Sequence, residues 1–145
     1  MKELLSLLPR PSHYIGTEEG SVHKDPASVR LHCALAFPDL YEVGMSYLGH
    51  KILYTILNDR DDVFAERVFA PCAESGKLLR EHGVPLATLE SDTDIAATHM
   101  FAFAVTHELC FTNVLYMLDL AGIPLRAADR GDDLFRWPLI VAGGG

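Results

Sequence analysis

Five short apolar runs, each separated from the next by a stretch of different character, constrain this chain more than any other feature. They are "VRLHCALAF" (29–37), "VFAERVFA" (63–70), "PLATLE" (85–90), "HMFAFAVT" (99–106) and "PLIVA" (138–142). Their length and partly β-branched content are those of strands buried on both faces. From Gly44 to Asn58 the apolar residues Met45, Leu48, Ile52, Leu53, Ile56 and Leu57 recur at helical spacing. A second helix is predicted over 73–82, closed by Gly83, and a third over 110–121, ended by Gly122 and Pro124.

Strand and helix in alternation predict an α/β domain of three layers with a mostly parallel, five-stranded sheet, Rossmann-like or flavodoxin-like. Residues 1–28 lack a sustained period and read as an N-terminal arm, leaving 29–145 as the α/β domain. The last run enters Gly143–Gly144–Gly145 with no helix behind it, so the chain reads as the N-terminal piece of a longer protein. With 145 residues, one domain with a real core is the expectation.

A net charge of −8 argues against a nucleic-acid surface and against anionic membranes. Cys33, Cys72 and Cys110 form no CxxC or CxxxCxxC, so neither a zinc knuckle nor a cluster-binding loop is encoded. They read as small buried residues of a reducing compartment. The apolar patch in "MKELLSLLPRP" is stopped by Pro9 and Pro11 far short of a spanning length. A cytoplasmic protein is the expectation.

In an open parallel sheet, ligands gather beyond the carboxyl ends of the strands. Three such ends stand out: "PDLYEVG" after the first run, "THELCFTN" after the fourth and "AGGG" after the fifth. The first has one glycine and two acids, Asp39 and Glu42, where a dinucleotide fold needs G-x-G-x-x-G against a pyrophosphate. No GxxxxGK[ST] occurs either.

The first loop does carry D-x-Y-x-x-G, in Asp39, Tyr41 and Gly44, which resembles the D-x-H-x-x-G signature of cobalamin-binding domains. "LLPRPSHYIG", "LAFPDLYEVGMSYLGHKILY", "ERVFAP", "THELCFTNVLYMLDLAGIP" and "IVAGGG" together are similar to the N-terminal region of a bacterial family of B12-binding-domain radical SAM proteins. The resemblance implies a cobalamin-binding-type domain as the N-terminal module of a radical SAM enzyme, non-catalytic by itself. It implies as partner the protein's own C-terminal radical SAM domain, carrying a [4Fe-4S] cluster and S-adenosylmethionine outside these residues. The implied cofactor in this domain is cobalamin, surrounded by Asp39, Leu40, Tyr41, Gly44, Ser46, Thr106, Glu108, Gly143 and Gly144.

Tyr41 departs from the signature, because a phenol is a poor cobalt ligand beside a neutral imidazole. Bound cobalamin would leave its lower cobalt face to water or to its own base. Structural readings stand beside these: Asp39 as a helix-cap acid, Tyr41 packed on the sheet edge, Gly44 admitting a close helix–sheet approach. His107, Glu108 and His50 have no fixed spacing that would make a metal site. His32 and His99 read as hydrogen-bonded residues within strands, Thr112 and Asn113 as caps. The alternatives are a scaffold that binds no cofactor and shapes the substrate channel, its mouth filled by Tyr41 and Tyr47, and, last, a response-regulator-like switch. The oligomeric state is open.

Overall fold

The structure, a computed structural model, describes residues 1–131, 133 and 136–144. Strands β1 (Leu31–Phe37), β2 (Val63–Phe69), β3 (Met100–Ala104) and β4 (Leu139–Gly143) form one parallel sheet in the order β2-β1-β3-β4. Helices α1 (Tyr41–Ser46), α2 (Leu48–Asn58), α3 (Ala73–His82), α4 (Phe111–Leu120) and α5 (Ala127–Arg130) complete the described elements, with short 3₁₀ turns between them.

Successive strand side chains alternate between faces, so each strand feeds two layers. Ala34, Ala36, Val68, Phe101 and Phe103 meet Leu79 of α3 and Met117, Leu118 and Leu120 of α4. The other face takes α2. There the Asn58 side chain clamps the Ala65 backbone, donating to its carbonyl at 2.9 Å and accepting from its N–H at 3.0 Å. The β1–β2 connection therefore passes over one face and the later connections over the other. This puts a topological switch point at the carboxyl end of β1.

Three expectations are corrected. The segment 85–90 is buried as predicted, but among the described residues the sheet has four strands and this segment contributes an isolated bridge, Ala87 to Asp94. Its backbone is satisfied piecemeal: Leu86 N–H donates to the Leu120 carbonyl, Thr88 N–H to Thr93, Leu89 N–H to Arg67. The Arg67 N–H that a fifth strand would have used goes to the Glu90 carboxylate at 2.8 Å. The helix predicted over 44–58 is two helices, broken where Tyr47 is extended (φ −83°, ψ 111°). Tyr47 packs its ring on Phe37 at 5.0 Å. His99 precedes β3 rather than lying within it, and its Nδ1 accepts the His32 N–H at 2.9 Å.

The N-terminal arm is built into the core. Met1, Leu4 and Leu8 are buried in the same cluster as α3 and α4. Asp92 accepts from the Met1 amine and the Lys2 N–H, and the Lys2 ammonium donates to the Glu90 carbonyl.

Candidate functional site

Because β1, β3 and β4 are parallel neighbours, Asp39, Thr106, Gly143 and Gly144 come to one edge of the sheet. The Val105 N–H donates to the Gly143 carbonyl at 2.9 Å, which joins two of the three loops. Asn113 at the start of α4 donates to the Pro38 carbonyl at 2.9 Å and bridges the switch point to the first loop. Asp39 is half-buried; its carboxylate accepts the Leu40 N–H at 2.7 Å and its carbonyl the Ala70 N–H at 2.9 Å. A cleft of ≈ 380 Å³ opens on the α3 side of the first loop, lined among others by Asp39, Leu40, Pro71, Cys72, Arg80, Asn113 and Tyr116; Thr106, Glu108, Gly143 and Gly144 are not among its walls. Leu40 stands exposed at its rim, and Leu109 and Phe111 are exposed in the turn that leads into α4.

The remaining predicted residues are spent locally. Tyr41 turns toward the arm: its hydroxyl donates to Glu18 at 2.6 Å and its ring stacks on His13 at 4.4 Å. Burial, then the Glu18 carboxylate, pushes the phenol up to about 12, so it stays protonated. Gly44 is buried, and a Cβ there would lie 2.3 Å from the Phe69 ring, so the close-approach reading holds for it. Ser46 donates back to the Val43 carbonyl, and Glu108 is exposed in the turn before α4.

The histidines are placed as follows. His50 is buried under the first loop, Nε2 3.1 Å from the Leu35 carbonyl, between the Phe37 and Phe69 rings. Burial lowers it to about 4, against the pull of that carbonyl, so it is neutral. His107 is exposed, 3.6 Å from the Cys110 sulfur. His32 Nε2 lies 2.5 Å from Glu66, whose carboxyl also accepts from the Ser91 N–H and hydroxyl. Burial acts to raise Glu66, but those partners hold it below the ordinary carboxylate range. Among the described residues, no three His, Cys, Asp or Glu side chains come together as a metal-holding set.

A feature that sequence reasoning missed is a cavity of ≈ 310 Å³ under the arm, walled by residues such as Pro9, His13, Tyr14, Tyr41, Phe69 and Leu89. An ion pair between Arg10 and Glu42 flanks it. Below, Arg67 is buried among Glu90 (2.6 Å), Glu18 (2.8 Å) and Ser21 (2.8 Å), over the Tyr54 ring. The signal was the spacing of Met1, Leu4 and Leu8, which puts three apolar residues on one side of the arm.

Among the described residues, no helix is long and apolar enough to cross a membrane. No curated protein and no solved structure matches the chain. A family model described as "Radical SAM proteins, N-terminal" matches residues 49–145, beginning just after the D-x-Y-x-x-G loop. The matched stretch holds every strand but β1 and covers well over half of the residues, and so the chain belongs to the N-terminal family of radical SAM proteins.

Proposed function

We propose that this chain is the cobalamin-carrying module of a radical SAM enzyme whose [4Fe-4S] cluster and S-adenosylmethionine belong to the domain that follows. The observation that carries the reading is the switch-point edge. Asp39, Thr106, Gly143 and Gly144 lie at the carboxyl ends of the neighbouring strands β1, β3 and β4, beside exposed Leu40, and Arg80 is the one Lys or Arg among the residues lining the cleft next to them. Such a rim suits a bulky, nearly uncharged guest, held by apolar contact and backbone groups in a flavodoxin-like setting.

The residues present fit cobalamin in one manner and not in another. A histidine-ligated cobalt does not fit, because position 41 is a phenol engaged by Glu18 and His50 is turned into the sheet. A guest whose lower face is left to water or its own base does fit. Asp39, Leu40, Thr106, Glu108 and the two glycines would then hold it, with Tyr41, Gly44 and Ser46 shaping the loop behind them. When bound, cobalamin supplies methyl or radical transfer. The chain's own part is to orient it and keep charge away.

A second reading is a scaffold without cofactor that docks on the radical SAM domain. It is favoured by Tyr41 and Tyr47, whose rings pack on Phe69 and Phe37 behind the first loop. Hydroxocobalamin titrated into the full-length protein, wild type and Tyr41→His, separates the two. Micromolar uptake without a histidine-ligated spectrum in either protein supports the module. Uptake by neither removes it and leaves the scaffold.

A further inference from the structure

The cavity under the N-terminal arm has no part in the strand-end site. It measures ≈ 310 Å³ and lies between the arm, the carboxyl end of β2 and the buried segment 85–90. Met1, Pro9, Val68, Phe69, Leu86 and Leu89 give it an apolar wall. Tyr14, Tyr41 and His13 add aromatic rings, the last two stacked 4.4 Å apart. Packed interiors leave few voids larger than a water molecule, whose share of liquid volume is about 30 Å³. An apolar cavity of about 150 Å³ stays dry and takes up benzene. The space under the arm is roughly twice as large.

The charges around it are already engaged. Arg67, the buried cation in the wall, is paired with Glu90 at 2.6 Å and Glu18 at 2.8 Å, and Arg10 at the rim is paired with Glu42. The Tyr14 hydroxyl donates to Ser75 at 2.9 Å and the Tyr41 hydroxyl to Glu18 at 2.6 Å. Among the described residues, no buried side-chain nitrogen or oxygen lacks a hydrogen-bond partner. A charged guest would shed its water here without finding a free partner, whereas an uncharged one loses little. The walls are also formed in advance. The Met1 amine is held by Asp92 at 3.1 Å, and Gly16 lies so close that a Cβ would be 2.1 Å from the Leu89 carbonyl oxygen. These ties fix the arm before and after the residues that roof the cavity. Entry is left to the rim, where the exposed Arg10–Glu42 pair can part at little cost.

We infer that this cavity is a binding site for an uncharged molecule of one or two aromatic rings. Of the residues assigned to cobalamin, Leu40 and Tyr41 line it, whereas Thr106, Glu108, Gly143 and Gly144 do not.

The test is methyl NMR of the full-length protein carrying methyl-labelled methionine, titrated with indole. Met1 lines the cavity, and Leu89→Met, a swap of similar volume, puts a second reporter in its wall. Met117, buried in α4 and outside those walls, is the internal control. Both reporters are expected to shift saturably with a Kd of about 1 mM or tighter, while Met117 stays in place. Ala87→Phe, which fills the cavity from the buried segment, is expected to weaken indole at least about tenfold, and an indole carboxylate to bind wild type at least about tenfold more weakly than indole. No saturation up to the solubility limit of indole overturns the inference. So do Met117 shifts equal to those of Met1, undiminished binding by Ala87→Phe, or equal binding of the carboxylate. If Ala87→Phe fails to fold, Ala70→Leu takes its place. Hydroxocobalamin has no part in the measurement, so this result and the cofactor result stand or fall separately.

Discussion

Acidifying the protein from pH 7 to pH 4 should expose the cost of a single buried imidazole. His50 is 1% exposed, held by the Leu35 carbonyl at 3.1 Å, and lowered to about 4 from an ordinary 6.5, first by burial and also by the Arg67 charge. The unfolded chain takes up a proton near pH 6.5 that the folded chain refuses until about pH 4. Stability contributed by neutral His50 is therefore complete above pH 6.5 and is lost as pH falls toward 4. At about 1.4 kcal/mol per pH unit, the gap between those two values amounts to about 3 kcal/mol. Glu18, Glu42, Asp62 and Glu66, all held low, also weaken the fold in acid, whereas Glu90, raised by burial, acts the other way. The comparison is therefore with His50→Gln, whose amide can still donate to Leu35 but does not titrate. Urea unfolding of both proteins at several pH values gives a difference curve in which wild type loses about 3 kcal/mol relative to the variant between pH 7 and 4. A flat difference curve would refute the account of a neutral, desolvated His50.

Two further outcomes follow from the packing around the first loop. Gly44→Ala drives a methyl into the Phe69 ring, with Phe37 at 3.2 Å behind it. It should cost about 1–3 kcal/mol in urea unfolding, and wild-type stability would show that α1 can move aside freely. Arg67→Met strands the buried Glu90 carboxylate and should cost about 3–5 kcal/mol, whereas Arg67→Met with Glu90→Leu should recover much of the loss. No recovery in the double variant would place the energy elsewhere than in the pair.

The α3 boundaries, residues 73–82 with Gly83 as a left-handed stop, are legible in the sequence because cap and period agree there. Four of the five apolar runs are strands for a similar reason: a run buried on both faces has few other uses. The third run shows the limit. Burial of 85–90 is written in its composition, but whether a buried backbone pairs as a ladder depends on what else offers hydrogen bonds, and here the Glu90 side chain and the end of α4 did. Of the candidate site, the loop positions at Asp39, Thr106 and Gly143 follow from strand ends alone. The direction of Tyr41 does not, because it is set by Glu18 and His13 of an arm without a regular period.

By itself, then, the amino-acid order determined the alternating layers, the strand ends that share an edge, and the membership in a radical SAM N-terminal family. Tertiary structure decided the number of strands, the break at Tyr47 and the burial of the arm. The reason is physical: periodicity is a local property of the chain, whereas the partner of a buried N–H, a phenol or an apolar flank is chosen by segments distant in sequence.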